Sequence, residues 1–186
     1  MRLTIASPVS ACLVMLALPA ALPLDPAIAR AQSPEVQAVQ AVHDTQAAAT
    51  RLVGEWVLDT TRTTRGPGAP AQLRMHVRRD GGGLVVRRVA ETPAGTMAVT
   101  FAYALDGAPS VNRTRQGGVD IVITTRVRGN GAVLTLDSAI QAPGETIQQV
   151  DAWTIAPAGQ ELSIARTIRV GEQQGALAMV FRRQMG

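Results

Sequence analysis

The chain has 186 residues, 46% of them hydrophobic and 17% charged, with 17 glycines, 11 prolines and only 3% aromatics. That excludes a disordered polypeptide and two sizeable domains, and leaves one domain with its own core. The basic side is 18 arginines without a lysine against 14 acids, a net charge of +4, and the one cysteine, Cys12, excludes a disulfide framework and a thiolate metal site.

Residues 1–31 read as a cleaved secretory signal. Arg2 supplies the positive end, an apolar run follows through Leu13-Val14-Met15-Leu16, and Ala29-Arg30-Ala31 has the small-x-small pattern of a cleavage site, so the mature chain begins at Gln32. Pro8, Pro19, Pro23 and Pro26 interrupt the segment, and Asp25 and Arg30 close it. An integral span, which needs about 20 apolar residues, is therefore not expected. Val9-Ser10-Ala11-Cys12 offers a second reading as a lipobox before a lipidated cysteine, although most of the apolar run lies after Cys12 instead of before it. Loss of the leader removes Arg2, Asp25 and Arg30 and lowers the net charge to +3. The expected location is the periplasm or the exterior.

Residues 32–50 form a helical lead-in. Ser33-Pro34-Glu35 is a start signal, with a hydroxyl to cap, proline at the first position and a carboxylate near the positive end of the dipole. Val36, Val39 and Val42 recur at a loose helical spacing over 34–49.

From residue 51 to 186 the pattern has period two. Alternating runs at 52–59, 72–79, 84–91, 97–104, 110–115, 119–128, 132–141, 146–156, 161–170 and 176–184 are separated by turn residues such as Asp80-Gly81-Gly82-Gly83, Gly129-Asn130-Gly131 and Gly171-Glu172-Gln173-Gln174-Gly175. No helical segment intervenes, so the connections are hairpins and the sheet is antiparallel. The expected fold is all-β, an antiparallel up-and-down barrel of about 8–10 strands, whose closure removes exposed edges. A membrane barrel would carry aromatic girdles. The mature chain has only Trp56, Trp153, Tyr103, Phe101 and Phe181, so a soluble barrel is expected.

Pairing the hairpins shows which polar groups point inward. A tight turn at Gly81-Gly82 sets Met75 opposite Arg88 and Val77 opposite Val86, so Arg88 falls on the apolar face. Met97, Val99, Phe101 and Tyr103 form the apolar face of the next run. Around Ala158-Gly159, Ile155 meets Leu162, Trp153 meets Ile164 and Asp151 meets Arg166; a slip of one residue would turn all of them outward. Buried charges are costly unless paired. Two readings stand: a cross-strand ion pair that fixes register or plugs the lumen, or a pocket in which Arg88 and Arg166, with Tyr103 beside them and Asp151 orienting Arg166, hold an anionic head group.

Gly54-Glu55-Trp56 on the first strand, after a helical lead-in and before an antiparallel meander, resembles the lipocalins and the wider calycin superfamily. The resemblance implies that Trp56 closes one end of the barrel beneath an arginine of the last strand, here Arg183, at cation–π distance. Gly54, Trp56 and Arg183 are then structural. The lipocalins' Thr-Asp-Tyr motif is absent, and the strand count exceeds eight. With Leu58-Asp59 and Tyr103-Ala104-Leu105-Asp106-Gly107, the chain also resembles small exported lipocalin-like bacterial proteins, whose function is mostly unassigned.

His43 and His76 do not cluster with each other, so no metal site is expected, and neither a nucleophile elbow nor a phosphate-cradling loop occurs. No catalytic residue and no cofactor is expected. The doublets Arg78-Arg79, Arg87-Arg88 and Arg182-Arg183 split across the two strand faces, against nucleic-acid binding. Arg74, Arg78 and Arg87 share an outer face that can touch anionic envelope components. The expected function is a non-catalytic barrel that binds a small apolar or amphipathic molecule in its lumen; the alternative is a side-chain-filled barrel acting through its outer surface in interaction or envelope assembly.

Overall fold

In a computed structural model of the protein, the described residues are 33–64, 71–92 and 95–184. The leader with Cys12 and its cleavage motif lies outside them, as do Arg65-Gly66-Pro67-Gly68 and Pro93-Ala94.

Helix α1 (Pro34–Leu52) begins where Ser33 caps it, the Ser33 hydroxyl accepting from the Val36 N–H at 3.4 Å. It runs three residues beyond the expected 49 and takes Leu52 from the first strand run. Its docking face is also not the valine stripe. Val36 and Val39 are 52% and 67% exposed, while Thr45, Ala48, Ala49 and Leu52 are buried. Small side chains bring the backbone close: the Thr45 hydroxyl accepts from the Gly129 N–H at 2.8 Å and donates to the Ala41 carbonyl at 2.7 Å. A Cβ on Gly129 would lie 2.6 Å from the Thr45 Cα, so this glycine is required by the helix contact.

Ten strands follow among the described residues: β1 (Gly54–Leu58), β2 (Gln72–Asp80), β3 (Gly83–Thr92), β4 (Gly95–Ala104), β5 (Ser110–Gln116), β6 (Val119–Gly129), β7 (Val133–Ala142), β8 (Glu145–Ile155), β9 (Glu161–Val170) and β10 (Gln173–Arg183). Every pairing is antiparallel, in the order β4-β3-β2-β1-β10-β9-β8-β7-β6-β5. The result is a nearly closed up-and-down barrel. The last hairpin turns more tightly than its glycines suggest: Gln173 already pairs with Val170, so only Gly171 and Glu172 form the turn. Gly171 takes φ +56°, which favours glycine.

β1 and β10 are hydrogen-bonded neighbours, so the barrel's one break in the ladder lies between β4 and β5. Side chains bridge it. The Asn112 carboxamide accepts from the Ala102 N–H at 2.8 Å and donates to the Ala102 carbonyl at 3.0 Å. The Ser110 hydroxyl accepts from the Ala104 N–H at 2.7 Å. A carboxamide carries the donor and acceptor of a peptide group, so Asn112 replaces the absent rung.

The interior is uneven along its length. The helix-side half is packed with buried Trp56, Val77, Leu84, Trp153, Leu162 and Phe181. On the same inward faces at the other end, Ile121, Ile140, Ile147, Ile168, Val170 and Leu177 are only half-buried. The inward faces are thus fully buried at the helix side and half-buried at the other end.

Asn112→Ala leaves both polar groups of Ala102 without their partner and is expected to cost about 1–3 kcal/mol. Hydrogen exchange at the Ala102 amide should accelerate far more than exchange across β8 and β9. Unchanged exchange at Ala102 would show that the seam does not depend on this side chain.

Candidate functional site

The candidate site lies on the inward face of β3, β4, β8 and β9, where strand register puts its residues. Arg88 pairs with Met75 on one side and Val99 on the other. Asp151 pairs with Arg166, and Arg166 in turn with Leu177. Since Met75 and Val99 belong to the core or pack against it, Arg88 shares the inward face with them.

Arg166 grips Asp151 with two bonds, Nε to Oδ1 and Nη2 to Oδ2, each at 2.7 Å. The Asp151 side chain is 2% exposed and that of Arg166 17%. The pair is bidentate and nearly dry, so removing either partner strands a charge in low dielectric.

Arg88 is held differently. Its guanidinium carbon stands 5.2 Å from the centre of the Phe101 ring and 5.6 Å from that of Trp153. Ring faces are negative, which makes this a tolerable seat for a cation. Yet its Nε is buried without an acceptor, and no described carboxylate comes within 4.0 Å of Arg88. Two guanidinium groups against one carboxylate leave the cluster one positive charge in excess. The Trp153 indole N–H is a second buried donor without an acceptor.

Tyr103 completes the group. Its ring stacks on Phe101 with centroids 6.1 Å apart and planes 15° from parallel. Burial pushes its phenol above the ordinary range; the charges of Arg88 and Arg166 pull it down, and that of Asp151 pushes it up. Arg88, Tyr103, Asp151 and Arg166 therefore share one electrostatic environment. Phe101 and Trp153 are parts of the site that strand pairing did not single out. Trp153 meets Arg88 only because the curved sheet brings β8 across from β3, and period-two patterning does not report curvature.

Gly54, Trp56 and Arg183 lie against the C-terminus of α1. The Arg183 guanidinium carbon stands 4.3 Å over the Trp56 ring. Its Nη1 donates to the Val53 carbonyl and its Nη2 to the Arg51 carbonyl, both at 2.7 Å, and its Nε donates to the Gly159 carbonyl at 2.8 Å. The Trp56 indole donates to the Leu52 carbonyl at 2.8 Å. Gly54 has φ +141°, and a Cβ there would lie 2.7 Å from Arg183 Nη1. These contacts fasten the C-terminus of α1 to the first and last strands.

What the inner cluster offers chemically is hydrogen-bond donors and excess positive charge. No set of three His, Cys, Asp or Glu side chains suited to a metal occurs among the described residues. His76, Arg74, Arg78 and Arg87 are exposed on the outer face, and Arg78 is paired with Asp80 at 3.2 Å.

Arg166→Met, which strands the Asp151 carboxylate, is expected to lose about 3–5 kcal/mol in urea unfolding. The double variant Asp151→Leu/Arg166→Met should recover most of it; an equal loss in both would refute a coupled pair. Tyr103 is the chain's one tyrosine, so phenolate absorbance reports it alone. A raised phenol means the unfolded chain ionises first, so stability is full below about pH 10 and falls as pH rises through the native value. Tyr103→Phe should remove this alkaline loss, whereas ionisation at the free-tyrosine value would contradict the burial.

No known protein family and no curated protein matches the sequence. Solved structures do. A secretary abundant heat soluble (SAHS) protein from Ramazzottius varieornatus superposes with a TM-score of 0.50 at 13% identity, over 72% of this chain and 96% of that one. The zebrafish ileal bile acid-binding protein complexed with cholic acid gives a TM-score of 0.42 at 14% identity, over 72% of this chain and 99% of that one. At such identities the likeness is one of fold, an antiparallel up-and-down β-barrel.

Proposed function

We propose that the barrel binds a small amphipathic anion, its apolar body against the half-buried inward residues of the end away from α1 and its head group on Arg88. Arg166 and Tyr103 stand beside that head group, and Asp151 orients Arg166. The observation that carries this reading is Arg88: an inward-facing guanidinium without a carboxylate partner, with a buried and unpaired Nε. Burying an unpaired charge costs several kcal/mol, and a ligand carboxylate or sulfonate would supply the missing acceptor. The half-buried residues would contribute shape and apolar burial, the head group orientation. The protein so read is a carrier or sensor, not an enzyme, and acts in the periplasm or outside the cell, the latter on the strength of residues 1–31.

A second reading, a filled barrel that acts through its outer surface in interaction or envelope assembly, is favoured by one observation, the packed helix-side half.

The test is titration with anilinonaphthalene sulfonate, followed by displacement with dodecanoate or dodecanol. One probe per chain is expected, with dodecanoate displacing it at about tenfold or more lower concentration than dodecanol, the weight of a charge-assisted bond. Arg88→Met should abolish the preference and leave stability equal or higher, since it removes an uncompensated charge. Equal displacement by acid and alcohol, or no probe binding, would overturn the proposal.

A further inference from the structure

A groove rich in basic side chains lies outside the lumen, on the outer face of β1, β2 and β3. Its volume is about 180 Å³, and it is lined by Arg74, His76 and Arg87, with Val57 and Val89 at its floor and Glu55 at the β1 side. Register explains the gathering. His76 pairs directly with Arg87, and Arg74 is the next outward residue on the same strand.

Five exposed arginines are in ion pairs among the described residues, Arg62 with Glu161, Arg78 with Asp80, Arg115 with Asp120, Arg128 with Asp137 and Arg182 with Asp59, while Arg51, Arg113, Arg126 and Arg169 are in none; what sets this groove apart is that two such arginines and a histidine line it together. Arg74 and Arg87 have no described carboxylate within 4.0 Å, and neither is Glu55 in an ion pair. The planar fork of arginine binds anion oxygens two at a time.

We propose that this groove binds a phosphate group, on a soluble compound or on a lipid head group. A tetrahedral anion offers oxygens in several directions, so it can accept from Arg74, Arg87 and His76 on two strands at once. A planar carboxylate suits a single fork. Glu55 opposes the anion from across the groove.

The test uses the full chain, with inorganic phosphate followed by phosphorus NMR, and with phosphatidylglycerol vesicles against phosphatidylcholine vesicles. Arg74→Gln/Arg87→Gln should weaken binding by about tenfold or more, as expected when charge-assisted bonds are lost. Glu55→Gln should tighten it, which a merely structural role would not do. Arg113→Gln, elsewhere on the outer face, and Arg88→Met, in the lumen, should leave it unchanged; the latter separates this site from the lumenal one. Saturable binding of inorganic phosphate with this pattern points to a soluble ligand. The same pattern with phosphatidylglycerol vesicles alone points to a lipid head group. Binding to neither, or binding that the double variant does not weaken, overturns the proposal.

Discussion

The guanidinium of Arg183, stacked over Trp56 and bonded to the carbonyls of Arg51, Val53 and Gly159, is the contact on which the rest of the barrel depends. A helix ends with carbonyls that have no partner within the helix. Here a cation from the last strand and an indole from the first supply the donors. The same two residues are paired across the closing ladder, Trp56 with Arg183. One cluster therefore caps the helix, joins the first and last strands and packs the base. Gly54 has no side chain because Arg183 occupies the space.

The interior is unevenly buried along its length, and charges lie on its inward face. Asp151 and Arg166 satisfy each other and behave as a structural unit. Arg88 does not: aromatic faces lower the cost of its burial without supplying an acceptor. In the proposed function, that imbalance is what the ligand's head group neutralises. A fully compensated interior would gain nothing from an anion, whereas this one has a positive charge to neutralise. The Asn112 seam lets the barrel hold its circumference although β4 and β5 share no ladder.

Much of this was legible in the sequence because period two is a strong signal where one face is buried. The Asp151–Arg166 and Met75–Arg88 pairings follow from hairpin register alone, and Gly54-Glu55-Trp56 with Arg183 pointed to the end lock. What was not legible depends on contacts remote in sequence. The valines of α1 suggest a buried stripe, but the docking face is set by Gly129, a residue far along the chain. Asn112 sits at an ordinary strand position, and nothing local shows that it replaces a missing rung. Gln173 and Gln174 read as turn residues because they are polar beside glycine, yet the partner strand extends far enough to pair them. Trp153 reads as core, and its place beneath Arg88 appears only once the sheet has curved.

The most direct test of an anion-seeking lumen is to purify the protein gently from its native source, extract it with organic solvent and identify small molecules by mass spectrometry. The result expected here is one anionic amphiphile per chain, lost when Arg88 is replaced by methionine. An empty extract from protein whose crystal structure shows a dry, closed lumen would contradict it.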